Sequence, residues 1–171
     1  MDLPERFARG DLAAFELLFR QFQPDVYRWL VRLVRDPAAA EDLTVEVFWR
    51  IYRARARFDP ARSFGAWARV IASNAAVDHL RRTRRTLSES MPAPGREAPS
   101  TGARDLHLRV ERAFVQLPPK LRVAAELALV GEWPHGEIAE ALGISRTAVK
   151  FRVIRARKLL KVLFEREGIQ P

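Results

Sequence analysis

Residues 135–160, HGEIAEALGISRTAVKFRVIRARKLL, read as two helices joined by a tight turn. Ile138 and Leu142 fall on one face of the first helix. Gly143 can take the left-handed conformation that ends this helix, and Ser145 can cap the next one. The second helix has an apolar stripe at spacings of three and four residues, which predicts one buried face: Val149, Val153, Ala156, Leu160 and Leu163. The stretch therefore predicts a helix-turn-helix.

The second of these helices is strongly basic. From Arg146 to Lys161 the chain carries seven basic residues and no acidic one. A helix that only faces water usually mixes signs, because oppositely charged pairs four residues apart stabilise it. A solvated charged helix remains the alternative, but the pattern favours contact with DNA. Near the helix start Arg146, Thr147 and Lys150 are placed to reach base edges in the major groove, while phosphates suit the later cations Arg152, Arg155, Arg157, Lys158 and Lys161.

The composition of the 171 residues agrees with a polyanionic partner. Thirty Lys and Arg against 21 Asp and Glu give a net charge of +9, which suits nucleic acid and, less commonly, an anionic membrane surface. The absence of cysteine excludes disulfides and thiolate metal sites. No apolar run approaches ~18 residues, and the N-terminal MDLPERFARG lacks the apolar core of a signal peptide, so we expect a cytoplasmic protein without membrane insertion.

A linker divides the sequence into two lobes. Residues 86–104 are rich in proline, glycine, serine and threonine, which predicts a flexible connection between residues 1–85 and 105–171. Both lobes show helical periodicity, and no stretch alternates with period two long enough to argue for a strand. The predicted class is all-α, with helices at about 11–23, 26–35, 38–57, 63–85, 105–116, 119–130, 135–142 and 145–165, the first of them stopped by Pro24.

The predicted helix 38–57 has two apolar lines. One is a core stripe of Leu43, Val47, Ile51, Ala54 and Phe58. The other runs along another side, next to acidic residues, and consists of Val45, Trp49 and Tyr52 beside Glu41, Asp42 and Glu46. The helix is therefore either buried from two sides or presents a protein-docking surface.

The predicted helix 63–85 combines aromatic, amide and basic residues. Phe64 and Trp67 near its start are either core residues or stacking partners for nucleic acid. Asn74 lies among apolar neighbours, so it is either a satisfied core amide or a reader of bases. Four arginines within 81–85 end the helix, and together with the basic second lobe they favour a second contact with DNA.

Two segments carry a resemblance to a known family. Residues 41–82, EDLTVEVFWRIYRARARFDPARSFGAWARVIASNAAVDHLRR, resemble conserved region 2 of bacterial RNA polymerase sigma factors. Residues 117–160, LPPKLRVAAELALVGEWPHGEIAEALGISRTAVKFRVIRARKLL, resemble their region 4. Only these two regions are recognisable, with a short linker between them, which is typical of the extracytoplasmic-function (ECF) class.

The resemblance implies roles for individual positions. Docking on the polymerase clamp falls to Asp42, Val45, Glu46 and Trp49. Reading of the melted −10 element as a single strand falls to Ser63, Phe64, Trp67, Asn74, Asp78, Arg81 and Arg82. Reading of the duplex −35 element falls to Arg146, Thr147, Lys150, Arg152, Arg155, Arg157 and Lys158. Three residues depart from what is usual in the family, namely Val45, Ser73 and Phe151.

The function expected from this resemblance is that of an ECF sigma factor, which binds core RNA polymerase and directs promoter recognition, strand opening and transcription initiation. The implied partners are core polymerase, promoter DNA and an anti-sigma protein. The alternative is a stand-alone helix-turn-helix regulator that does not bind polymerase. We expect no enzyme, cofactor or metal site, because the three histidines are scattered and the sequence has neither a phosphate-binding glycine loop nor a paired-carboxylate motif.

Overall fold

The computed structural model describes residues 2–90 and 102–169, without the side chains of Ser88 and Ser90. Within these residues the regular structure is entirely helical, so the all-α prediction is confirmed. A 3₁₀ turn at Arg55–Arg57 follows α3, and a π-helical turn at Glu126–Val130 follows α6. The α-helices are α1 (Leu3–Ala8), α2 (Leu12–Val34), α3 (Pro37–Ala54), α4 (Phe64–Ser90), α5 (Ala103–Gln116), α6 (Pro119–Ala125), α7 (His135–Leu142) and α8 (Arg146–Arg166).

The predicted break at Pro24 is wrong, because α2 runs through this proline as one helix of 23 residues. An interior proline costs about 3 kcal/mol or more, since it removes a backbone hydrogen bond. Each fully buried leucine or valine contributes about 1.5–3 kcal/mol. The apolar face stays buried on both sides of the proline and offsets its cost, through Leu18, Val26, Trp29, Leu30 and Leu33.

Aspartates set the starts of the first three helices. Asp2 forms a reciprocal capping box with Glu5 at α1, a helix that sequence periodicity missed because it has only six residues. The Asp11 carboxylate accepts from the backbone N–H groups of Ala13 (2.9 Å) and Ala14 (3.2 Å) at the start of α2. The hydrogen bond from the Arg6 guanidinium, followed by that from the Ala14 N–H, lowers the pKa of Asp11. Asp36 caps α3 in the same way, through the N–H of Ala39.

The helices fall into two compact units, one of residues 1–77 and 139–144 and the other of residues 78–138 and 145–171. In the first unit, aromatic side chains of α1, α2 and α4 meet around Phe7, which is fully buried. In the second unit, α5, α6 and α8 share a core made of Ala113, Phe114, Leu117, Leu121, Ala125, Ala156 and Leu160.

Part of the predicted linker 86–104 is helical. Helix α4 continues five residues beyond its predicted end at residue 85, to Ser90, and α5 begins at Ala103. Gly102 is the N-cap of α5, and residues 91–101 of the predicted linker lie outside the described residues. The extra turn of α4 contains Leu87 and Glu89, which are compatible with a helix, so the low apolar content of this stretch was a poor marker of the helix end.

Candidate protein and nucleic-acid interfaces

Helix α3 presents all four predicted docking residues on one outward face. Asp42, Val45, Glu46 and Trp49 follow the spacing i, i+3, i+4, i+7, which places them side by side on a helix. Val45 is 69% exposed and Trp49 is 59% exposed. The opposite face is buried through Leu43, Val47, Phe48 and Ile51. The interpretation that α3 is buried from two sides is therefore wrong, and its second apolar line is accessible.

Neighbouring side chains hold this face in place. The Trp49 ring stacks against Tyr52 with 6.3 Å between centroids and 24° between planes. Tyr52 packs in turn against Phe15 of α2 (5.1 Å) and lies under the guanidinium of Arg55, 4.4 Å from the ring centre. An indole supported on one side in this way has few rotamers to lose on binding, which favours it as an interface anchor.

The two acids of this face differ in their surroundings. The half-buried Glu46 accepts from Arg50 Nε at 3.0 Å, one helical turn further on. Asp42 is exposed one turn before it. Because a carboxylate already held by an arginine attracts a further cation less strongly, Asp42 is the acid better placed to meet a basic partner.

At the start of α4, the two aromatic candidates for base stacking differ in their exposure. Phe64 is only 4% exposed, and its ring lies 5.5 Å from Phe7 and 5.6 Å from Phe58. Trp67 is half-buried at the edge of the same cluster, 4.8 Å from Phe58. We therefore assign Phe64 to the core, where it cannot stack on a base, and keep Trp67 as the accessible aromatic of this pair.

The loop before α4 is a defined turn. The Arg62 N–H donates to the Asp59 carbonyl at 2.9 Å, and the Asp59 carboxylate accepts from the Ala61 N–H at 3.0 Å. Ser63 is exposed, and its hydroxyl accepts from the N–H of Ala66 at 3.3 Å, which caps α4. In this structure Ser63 therefore serves as the N-terminal cap of α4.

Along α4, the polar candidates share the outward side. Asn74 is exposed, so the interpretation as a satisfied core amide is wrong. Asp78 follows one turn later and forms an ion pair of 4.0 Å with Arg81, which is exposed like Arg82. Ser73 points the other way and is buried, where it accepts from the Trp29 indole N–H at 3.0 Å. The serine that replaces the usual basic residue at this position therefore packs inside the protein against Trp29.

The helix-turn-helix has the predicted turn. Gly143 has a φ of +66°, the left-handed conformation that ends α7. The Ile144 N–H donates to the Ala139 carbonyl at 3.0 Å, which satisfies one of the last carbonyls of that helix. The Ser145 hydroxyl accepts from the Ala148 N–H at 3.1 Å and caps α8.

Helix α8 buries one apolar stripe and exposes most of its basic residues. Val149, Val153, Ala156 and Leu160 are buried. Of the seven predicted −35 residues only Arg152 is half-buried, and the exposed ones are Arg146, Thr147, Lys150, Arg155, Arg157 and Lys158. The sides of α8 that face away from the core of the second unit are therefore largely basic, and exposed apolar residues such as Phe151 and Ile154 interrupt this surface.

Sequence reasoning missed Gly136, which positions the first of these cations. The Arg146 guanidinium lies against the backbone of Gly136 in α7, so that a Cβ added there would stand 2.4 Å from Arg146 Nη2. Only a residue without a side chain leaves this space free. A glycine in the first turn of a predicted helix was the available signal, because glycine costs a helix about 1 kcal/mol relative to alanine.

The described residues 2–90 and 102–169 contain no group of histidine, aspartate and glutamate side chains arranged to hold a metal ion. None of their helices combines the length and the apolar character that a membrane span requires.

Comparisons with known proteins agree with this geometry. The family model for Sigma-70 region 2 matches residues 18–86, and the model for Sigma-70 region 4 matches residues 107–160. The chain is 38% identical to the RNA polymerase sigma factor CarQ of Myxococcus xanthus over 93% of this chain and 94% of that protein. It is 31% identical to the ECF RNA polymerase sigma factor SigE of Mycolicibacterium smegmatis over 90% of this chain and 64% of that protein.

A solved structure is similar over almost the whole length. CnrH, determined in complex with the cytosolic domain of CnrY, superposes with a TM-score of 0.57, at 25% identity and with 95% of each chain covered.

Proposed function

The chain belongs to the bacterial RNA polymerase sigma factors of the ECF class, and on that premise we propose which of its surfaces performs each step of initiation. A factor of this class binds core RNA polymerase and directs promoter recognition, strand opening and transcription initiation. Family membership decides against the stand-alone regulator, which would not bind polymerase.

The outward face of α3 binds core polymerase. The observation that carries this assignment is the exposure of Val45 and Trp49 next to the accessible carboxylate of Asp42. Two large apolar side chains left in water at the centre of a helix face are unfavourable unless a partner covers them. A tryptophan anchor with a polar, acidic rim is typical of the energetic centre of a protein interface.

The outward side of α4 binds the melted −10 element. Opening a duplex requires a surface on which an unpaired base can stack, together with cations for the backbone. Trp67 supplies the accessible ring and Asn74 a hydrogen-bonding edge, while Ser63, Asp78, Arg81 and Arg82 line the same helix and its start. Phe64 contributes indirectly, since it supports Trp67 from inside the aromatic cluster at 6.0 Å.

Helix α8 binds the duplex −35 element. Its first turns, with Arg146, Thr147 and Lys150, enter the major groove, as the N-terminal part of a recognition helix does in a helix-turn-helix. The exposed Arg155, Arg157 and Lys158 and the half-buried Arg152 neutralise phosphates, which position the helix without reading sequence.

These assignments divide the chain as the sequence suggests. Residues 1–85 form the polymerase-docking and −10-binding domain, residues 105–171 form the −35-binding domain, and residues 86–104 connect them. The protein works in the cytoplasm, where polymerase and promoter DNA are found, and it performs no chemistry of its own.

An anti-sigma protein is the further partner that we propose. The similar CnrH was solved with a protein segment, the cytosolic domain of CnrY, bound to it. The exposed apolar face of α3 offers such a protein a place to compete with polymerase, because covering Trp49 and Val45 would stabilise either complex.

The test is binding and transcription with purified core RNA polymerase over a library of promoter fragments. We expect stoichiometric binding and initiation from a defined two-element promoter. Asp42→Lys and the double change Asp42→Lys/Glu46→Lys should weaken polymerase binding and leave duplex binding by the −35-binding domain intact. Glu16→Lys, which reverses an exposed acid on α2 of the same unit, is the matched control. DNA binding without any affinity for polymerase would overturn the proposal.

A further inference from the structure

Phe151 is the most exposed aromatic side chain among the large apolar residues found at the surface, at 68%, above Trp49 at 59%. It is the sixth residue of α8 and lies two residues from the buried Val149. At 3.6 residues per turn, two residues correspond to about 200° around the helix, so Phe151 points almost directly away from the core. Folding of the second unit therefore does not explain the phenylalanine.

The surroundings of Phe151 are mostly basic, with the exposed Ile154 one turn further along as an apolar neighbour. Lys150 and Arg152 flank it in sequence, and Arg155 lies one turn further along the same side. Thr147 lies one turn before it and is exposed. A protein partner that covered this ring would have to desolvate several cations at the same time, which is costly without matched acids. The ring instead fits a partner that is anionic around its edges and apolar at one point.

The major groove of B-DNA has this chemistry. Phosphates line both of its rims, and the C5-methyl group of thymine is the apolar group exposed on its floor. A phenylalanine side chain is one of those that contact this methyl group. Phe151 lies in the second turn of the recognition helix, between residues that we place at base edges and residues that we place at phosphates.

We propose that Phe151 determines specificity by packing on the C5-methyl group of one thymine in the −35 element. This inference rests on the proposed binding of α8 to duplex promoter DNA and specifies one base that the helix recognises. It requires a thymine at one position of the −35 element, and the contact is apolar, so it should respond little to salt compared with the surrounding phosphate contacts.

The test removes the C5-methyl group of thymine from the DNA and compares the wild-type protein with Phe151→Ala. Holoenzyme assembled from core polymerase and this chain first selects its promoter from a randomised library. Each thymine of the selected −35 element is then replaced in turn by deoxyuridine, which lacks only the C5-methyl group. Wild-type holoenzyme should lose about fourfold in affinity at one position, the effect of one buried methyl group. At that position Phe151→Ala should bind thymine and deoxyuridine equally.

A control variant separates a local contact from general damage. Val162→Ala truncates another exposed apolar residue of α8, eleven residues further along, and should keep the wild-type deoxyuridine pattern. The inference is overturned if Phe151→Ala retains the wild-type penalty, if no thymine is sensitive in the wild type, or if Phe151→Ala weakens polymerase binding without changing the pattern. Failure of the holoenzyme to assemble or initiate would instead refute the proposed function. Assembly and initiation are therefore measured on unmodified promoter DNA before any deoxyuridine is introduced.

Discussion

The outward faces of α3 and α8 are both exposed, but they differ in how charge and apolar surface are arranged. On α3, Val45 and Trp49 form the centre, and the acids Asp42 and Glu46 lie beside them. On α8, cations dominate, and Phe151 is an isolated aromatic residue among them. The first arrangement suits a protein partner and the second suits a polyanion, although both helices use an apolar stripe to attach to their own core.

The two faces should draw their binding free energy from different sources. A buried tryptophan at a protein interface contributes mainly by excluding water, so its effect depends little on salt. Cations on DNA contribute by releasing counterions, so their effect falls as the salt concentration rises. Mutations on the two faces should therefore differ both in the step that they impair and in their salt dependence.

The largest effect is expected from Trp49→Ala. Loss of an interface anchor of this kind costs about 2–4 kcal/mol, or roughly 30-fold to 1,000-fold in affinity for core polymerase. The free energy of unfolding should hardly change, because Trp49 is mostly in water in the free protein. Competition binding to core polymerase, together with thermal unfolding of the free protein, measures both quantities.

The control for Trp49 is Leu17→Ala, which truncates an exposed apolar residue of α2 in the same unit. It should leave polymerase binding unchanged. An equal loss in both variants would mean that polymerase contacts a broad apolar surface rather than the α3 face.

The second effect is expected from Arg146→Ala. This change should weaken recognition of the −35 element by about 1–3 kcal/mol and leave polymerase binding unchanged, because it removes a base contact that we propose for α8. Binding of holoenzyme to the selected promoter and to one with a scrambled −35 element, measured at several salt concentrations, gives both the loss and its sequence dependence. If Arg146→Ala and Trp49→Ala impair the same step equally, the division between the two faces is wrong.

The sequence predicted these two faces to different extents. The period of apolar residues predicted the buried stripes of α3 and α8, since packing against a core leaves a regular pattern. It did not decide whether Val45 and Trp49 were covered, because a second apolar line looks the same whether a neighbouring helix or solvent lies beside it. It also left open whether Phe64 belongs to the core, because its burial depends on aromatic residues of α1 and α2 that are distant in sequence.

Pro24 and Gly136 show the same limit of local sequence signals, which do not report tertiary contacts. A local rule gives proline as a helix end, but the buried residues on both sides of Pro24 outweigh its cost. The role of Gly136 depends on where the Arg146 side chain lies, ten residues away and on another helix. Local signals therefore predicted the caps and the turn, including Asp11, Gly143 and Ser145, and tertiary contacts decided the rest.

The smallest effect is expected from Gly136→Ala. The added methyl group would stand 2.4 Å from Arg146 Nη2 and 2.9 Å from its Nε, so the guanidinium has to move. Because these atoms are the far end of a flexible side chain, and alanine favours a helix over glycine by about 1 kcal/mol, stability should stay the same or rise. Recognition of the −35 element should fall by less than in Arg146→Ala, since the displaced arginine still carries its charge.

Two comparisons show whether Gly136 acts through Arg146. Gly102→Ala is the matched control, because a Cβ there meets no atom within 4 Å. Gly102 is the N-cap of α5, where alanine is less favourable than glycine, so this change should lower stability slightly and leave −35 recognition unchanged. In the Arg146→Ala background, Gly136→Ala should cause no further loss of −35 recognition, since no guanidinium remains to be displaced. A further loss in that background would show that Gly136 serves the −35 contact by another route, such as close approach of α7 to the DNA backbone, and would remove it as the positioning residue for Arg146.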